Sequence, residues 1–190
     1  MAAEWWALGI SLLALITTLT RDFFVPLLFK PRMILIGKDD GECVENACDL
    51  IGHSSRWVRL KLINKNSFWS KPAKNCYVKL LSIHNSMGDA VKPFTPLPLP
   101  WVSYDDFEGK KHDLSIGEYH LIDLVNEYEK LRILRFKISI PLELIKQSDK
   151  KLSKGEYTFR VGVYGDNFKP IFKNFKIRLT EKYGELNFVK

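Results

Sequence analysis

The sequence predicts a mainly β protein: a single N-terminal transmembrane helix followed by an immunoglobulin-like Greek-key β-sandwich. Three observations carry that expectation. The stretch "EWWALGISLLALITTLT" opens the chain almost without charge. From Met33 onward, about seven short segments alternate apolar and polar residues between turns, the rhythm of paired antiparallel sheets. Near the C-terminus, "LSKGEYTFRVGVYGDN" sets a tyrosine at a strand entry just after a glycine turn. That placement fits the tyrosine corner of immunoglobulin-like sandwiches. The expected division is a membrane anchor and juxtamembrane segment over 1–32, a β-sandwich domain over 33–180 and a C-terminal tail over 181–190.

Trp5 to Thr20 carries no charge. As a helix it spans about 24 Å, slightly short of a hydrocarbon core of ~30 Å. Continuation to Phe29 supplies the missing length, with Arg21 snorkelling toward head groups. Trp5 and Trp6 sit where an interfacial aromatic anchor belongs. Pro26 is expected to kink or end the helix. A cleaved signal peptide wants Lys or Arg before the apolar run and a small-residue cleavage site after it. The chain has Glu4 there and no such site. Apolar character on every face also disfavours a buried core helix. No Lys or Arg precedes the run, whereas Arg21, Lys30, Arg32 and Lys38 follow it. The positive-inside rule therefore expects the main domain in the cytoplasm.

"MILI", Met33 to Ile36, reads as a first strand, and a polar stretch from Gly37 to Ser55 follows. In "WVRLKLIN", Val58, Leu60 and Leu62 face inward while Arg59 and Lys61 face outward. In "CYVKLLSI", Cys76, Val78 and Leu80 face inward while Tyr77 and Lys79 face outward. These two segments are expected as close middle strands joined by a long bulged loop, "NKNSFWSKPAKN". Phe68 and Trp69 at its tip either fold back to cap the core or touch the bilayer or a partner.

Prolines at 96, 98 and 100 cannot donate to a ladder, so Leu97, Leu99 and Trp101 belong to an edge strand or a polyproline strip. A PxxP-type ligand is the functional alternative. "HDLSIGEYHLIDLV" supplies a turn and strand around Gly117. "ILRFKISI" turns Leu134, Phe136, Ile138 and Ile140 inward and Arg135, Lys137 and Ser139 outward, until Pro141 stops it. "LELIKQSDKK" suits a helical turn. Tyr157, Phe159, Val161 and Val163 point inward on the next strand, and Phe175, Ile177 and Leu179 on the last.

The segments "WVRLKLINK", "AKNCYVKL", "LPLPW", "LSIGEYHLIDL" and "GEYTFRVGVYGDN" together resemble a widespread set of uncharacterised prokaryotic proteins. Those proteins carry one N-terminal transmembrane helix and then an immunoglobulin-like β-sandwich domain. The element ending Ala73-Lys74-Asn75-Cys76 also resembles adhesion-type sandwich modules, although Phe68-Trp69 stands where a short Gly turn is usual. The resemblance implies a fold and an anchor. It implies no activity and no ligand site, so no functional residue carries over.

Chemistry-bearing residues are sparse. Cys43, Cys48 and His53, with Cys76 elsewhere, form the one set with zinc-ligand residue types. A Cys43–Cys48 bridge and free thiols are the alternatives, and an odd, low cysteine count favours thiols in a reducing compartment. The chain contains no G-x-S-x-G, P-loop or G-x-G-x-x-G. His53, His84, His112 and His120 are scattered, and His120 with Asp123 reads as an ordinary solvated pair. Asp105, Asp106 and Glu108 lie near Trp101 and Tyr104, but no second carboxylate group or Gly-spaced loop supports glycosidase or Ca²⁺ chemistry. Between Tyr157 and Lys176 basic residues alternate with rings whose inward parity suits a core better than a stacking platform.

The expectation is therefore no catalytic, cofactor-binding or metal residue, and no enzyme activity. Membrane lipid is the expected partner of the helix, an unidentified protein the expected partner of the domain, and nucleic acid is not expected. Net charge is +7 with a pI of about 9.2. Arg59, Lys61, Lys79, Arg135 and Lys137 are expected to form a basic patch if their strands share one sheet, turned toward anionic lipid or simply solvated. Two functions fit: a membrane-anchored, non-catalytic interaction module, or a membrane-tethered ligand-binding sensor or regulator of an envelope or defence system.

Overall fold

A computed structural model describes residues 2–48, 54–91, 95–102, 111–128, 134–135, 154–180 and 182–189. Helix α1, Ala2–Leu19, runs into a π-helical turn, Thr20–Phe24, and then a last turn α2, Val25–Leu28. The π turn has a local cause. Pro26 has no N–H to give the carbonyl four residues back, and one wider turn, closed by Val25 N–H to the Thr20 carbonyl, re-phases the ladder just before it. Pro26 therefore does not end the helix, which runs on to Leu28.

Among the described residues the following strands come next: β1 Met33–Ile36, β2 Val44–Cys48, β3 Ser54–Asn64, β4 Ala73–Asn85, β5 Leu97–Leu99, β6 His112–Leu114, β7 Tyr119–Tyr128, β8 Leu134–Arg135, β9 Gly155–Tyr164, β10 Ile171–Leu179 and β11 Asn187–Phe188. They form two antiparallel sheets. The first runs β1-β3-β7-β8, with β2 continuing the β1 side of β3. The second runs β11-β10-β9-β4-β5, with β6 also on β4.

The inward parities hold. Val58, Leu60 and Leu62 from the first sheet meet Cys76, Val78, Leu80, Phe159, Val161 and Val163 from the second in one buried cluster. Burial of each such side chain stabilises the fold by about 1.5–3 kcal/mol. Tyr157, Phe175, Ile177 and Trp101 join them, and Leu179 packs on the rim. The proline-spaced β5 is an edge strand on β4, as the missing donors demand.

The pairing of neighbours differs from expectation. The segments around Leu60 and Leu80 do not pair: β3 bonds to β1, β2 and β7, whereas β4 bonds to β9, β5 and β6. Residues 65–72 thus carry the chain from one sheet to the other. The turn at Gly117 does the same between β6 and β7. Arg59 and Lys61 consequently lie on a different sheet from Lys79, and the single basic patch expected from them does not form. Arg59 instead bonds Asp123 at 2.9 Å and also pairs with Glu45, and Lys61 pairs with Glu42 at 2.5 Å.

Within the expected C-terminal tail, residues 182–189 pack on the two sheets. Asn187 and Phe188 pair with β10, Leu186 is fully buried, and Arg56 Nε donates to the Leu186 carbonyl at 3.0 Å. Strand β2 was hidden in the polar stretch 37–55. The strand centred on Phe136, the helical turn near 145, His53, the acidic group Asp105, Asp106 and Glu108, and Lys137 lie outside the described residues; β8 retains only Leu134–Arg135.

Candidate interaction surfaces

One end of the sandwich receives the helix. The chain leaves α2 at Phe29 and enters β1 only a few residues later, so the junction has little slack. Asn64, the last residue of β3, organises it. Its Oδ1 accepts from the Arg32 N–H at 3.2 Å and from the Ser70 hydroxyl at 3.3 Å. Its Nδ2 donates to the carbonyls of Lys71 at 2.8 Å and Leu114 at 3.1 Å. Its own N–H donates to the Glu118 carbonyl, and its carbonyl accepts from Gly117. Lys65 N–H donates to the Arg32 carbonyl. One buried amide thereby ties together the helix exit, the crossover loop and the Gly117 turn. A buried amide that satisfies every group it meets is how a polar side chain is tolerated at full burial.

The Gly117 turn has its own clamp. Glu118 accepts from the Ser115 N–H at 2.6 Å and from His120 Nε2 at 2.8 Å. The Ser115 amide, then His120, hold the Glu118 carboxyl below the ordinary carboxylate range. On the far side of β4, Asn75 takes a left-handed conformation with φ +52°, where the register of β4 against β6 shifts. Its N–H donates to Asp113 at 2.9 Å and its side chain to Asp166, while Lys74 pairs with Asp113 at 2.5 Å.

Aromatic rings line this end. Trp69 packs on Phe29 with ring centroids 4.9 Å apart, and Phe68 meets Trp69 edge-on at 5.0 Å. Lys71 Nζ lies 5.7 Å from the Phe29 ring centroid. Phe68 is 85% exposed, so it does not cap the core, and Trp69 turns to the helix end rather than to the sheets.

A second surface lies on the outer face of the β4–β9–β10 sheet. Tyr77 and Tyr164 are cross-strand partners with stacked rings 5.1 Å apart. Phe172, half exposed, meets Tyr164 edge-on at 6.0 Å. Lys79 sits over both tyrosines, Lys111 over Tyr77 and Arg160 over Phe172. Gly162 stands between them in the same row as Lys79 and Phe172, and a Cβ there would meet the Tyr164 ring at 2.9 Å. The glycine is what lets that ring lie flat on the sheet. Inward parity had claimed Tyr157, Phe159 and Phe175 for the core, correctly; the outward Tyr164 and Phe172 were not singled out.

The remaining polar features are weaker. His84, Thr158, Asn174 and Lys176 line an open depression of about 350 Å³ toward the other end. Among the described residues no three His, Cys, Asp or Glu side chains converge to hold a metal. Cys43 and Cys76 are buried free thiols, so Cys43 is not bridged to Cys48. Burial pushes the Cys76 thiol up to about 12, which makes it inert rather than nucleophilic.

Comparison with known proteins adds little to this geometry. No family model and no curated protein matches the chain. Among solved structures, it is similar to a family 123 glycoside hydrolase from Clostridium perfringens that hydrolyses glycolipid glycans. Identity is 12%, the match covers 66% of this chain and 21% of that one, and the TM-score is 0.36. The chain thus spans about a fifth of that enzyme's length, and a likeness this slight carries no argument about activity. Among the described residues one helical stretch, Trp5–Phe24, is long and apolar enough to cross a membrane, and none of it is buried.

Proposed function

We propose that the protein is a membrane-anchored, non-catalytic interaction module whose immunoglobulin-like sandwich presents one sheet face to a protein partner. The observation that carries this reading is the wholly unburied apolar helix joined to the domain without slack. An uncovered surface of that size needs a lipid environment. A domain whose Asn64 bonds Arg32, just past the helix exit, is held close to the bilayer. The flanking cations favour the cytoplasmic side. The Tyr77–Tyr164–Phe172 ladder, with Lys79, Lys111 and Arg160, then supplies the rigid aromatic and cationic anchors typical of protein interfaces. Its charge fits an acidic partner face.

The test is a photo-crosslinking amino acid placed at Phe172 in the full chain in its native membrane. The expected result is a discrete protein adduct from residue 172 that is lost when Lys79 and Arg160 are both changed to Glu. A crosslinker at Met87, 84% exposed at the opposite end of β4, should give none. Equal, diffuse labelling from both positions would count against a specific partner. A sensor role gains ground if a small polar molecule that binds near His84 changes the yield at residue 172.

A further inference from the structure

We infer that the crossover loop around Phe68 and Trp69 is a second lipid contact, which dips into the head-group boundary beside the helix and fixes the tilt of the domain. The inference rests on the reading of the helix as a membrane anchor. Three observations support it. The rings are continuous with the helix: Phe29, at its end, packs on Trp69, which packs on Phe68. Phe68 then points its whole ring at solvent, although the loop carrying it is firmly built. Asn64 holds the loop through Ser70 and Lys71, and Ser70 N–H donates to the Ser67 carbonyl at 2.9 Å. A rigid loop that displays a bare phenylalanine suits a surface that accepts apolar rings without shape matching.

The charge around the rings agrees. Lys30 and Arg32 follow the helix exit, and Lys65 and Lys71 lie on the crossover loop bonded to it through Asn64 and Lys65. Lys71 holds its ammonium 5.7 Å from the Phe29 ring centroid, which places a cation beside the apolar cluster where a lipid phosphate would lie. Aromatic rings at the boundary with cations beside them are what an anionic leaflet selects. Ile116, partly exposed on the neighbouring Gly117 turn, extends the same apolar edge, and that turn is tied to Asn64 as well. With one helix alone, the helix and the domain tied to it remain free to tilt together in the bilayer. A second contact on the same rigid junction removes that freedom and sets which sheet face looks away from the bilayer.

The test uses the full chain in bilayers of phosphatidylcholine and phosphatidylglycerol, with a nitroxide attached in turn to Leu12→Cys, Phe68→Cys and Met87→Cys. The wild-type chain put through the same labelling supplies the background. Collision with oxygen reports lipid, and collision with a water-soluble nickel complex reports solvent. The expected result is oxygen-favoured collision at residues 12 and 68 and nickel-favoured collision at residue 87. If residue 12 reads lipid while residue 68 reads water, the loop contact is overturned and the anchor stands. If residue 12 itself reads water, the anchor reading fails and the loop contact falls with it. Protection of residue 68 from both reagents would also overturn the proposal, because the loop would then be covered by protein, such as a second copy of the chain.

Discussion

Asn64 ends β3 with its side chain fully buried and both amide atoms bonded to groups from three different segments. Asn64→Leu keeps the volume and strands the Arg32 N–H and the Lys71 and Leu114 carbonyls. The expected cost is about 2–4 kcal/mol, because each buried group left unpaired loses its full desolvation. Denaturant unfolding of the full chain in detergent, followed by tryptophan emission, checks it. Asn64→Asp keeps the acceptor but turns a carboxylate oxygen toward the Lys71 and Leu114 carbonyls at full burial, so near neutral pH it should be at least as destabilising as the leucine variant. Glu118 next to it gives a pH signature. Its folded-state pKa is depressed, so the stability it contributes is present above the ordinary Glu pKa of 4.5 and is lost as pH falls through the lower folded value. Glu118→Gln should therefore be less stable than wild type near neutral pH, and the gap should close on acidification. A gap unchanged down to the acid limit would remove the clamp. None of this was legible in the sequence: an asparagine at a strand end reads as a turn residue, and only the fold brings Arg32, Lys71 and Leu114 to it.

At the scale of elements, side-chain parity was legible and partner choice was not. Strict alternation in "WVRLKLIN" or "GEYTFRVGVY" fixes which residues face the core, because the period of a strand is two. The same alternation results whether the next strand lies beside it or in the facing sheet. So Val58, Leu60, Leu62, Val78 and Leu80 were placed correctly while β3 and β4 were wrongly set side by side. The length of the loop and its Phe68-Trp69 pair were the available signs of a crossover. Short strands escaped for another reason. "VENAC" and "NF" carry too few apolar residues to show a period, and they form because longer strands offer them an edge. The terminal segment is a full part of the fold. Arg56 reaches from β3 to the Leu186 carbonyl, and Gly184 N–H donates to Glu127 at 3.2 Å. Leu186→Ala should cost about 2–5 kcal/mol, the usual range for a fully buried leucine. A melting curve of the full chain decides it, and a change below a few tenths would make the segment the free tail first expected.

For the whole molecule, the apolar opening run, the β domain and their order were all legible from residue 1 onward, because a helix solvated by lipid and a sheet solvated on one face have different periods. The net charge of +7 was legible as a total but not as a surface. Arg59 is neutralised by Glu45 and Asp123 on its own sheet and Lys61 by Glu42 in the turn before β2, while the cations near the helix exit and the aromatic ladder are set by topology. Cys76 is fully buried and its thiol is pushed up to about 12, so labelling of the folded chain at Cys76 is expected to be slow from either side and a poor reporter of topology. The central proposal is that the helix is a permanent anchor. The most direct measurement is alkaline carbonate extraction of native membranes, followed by the intact mass of the retained protein. The expected result is retention in the membrane pellet with the N-terminal segment still attached, and release only by detergent. A protein freed by carbonate, or one lighter by the N-terminal segment, would contradict it.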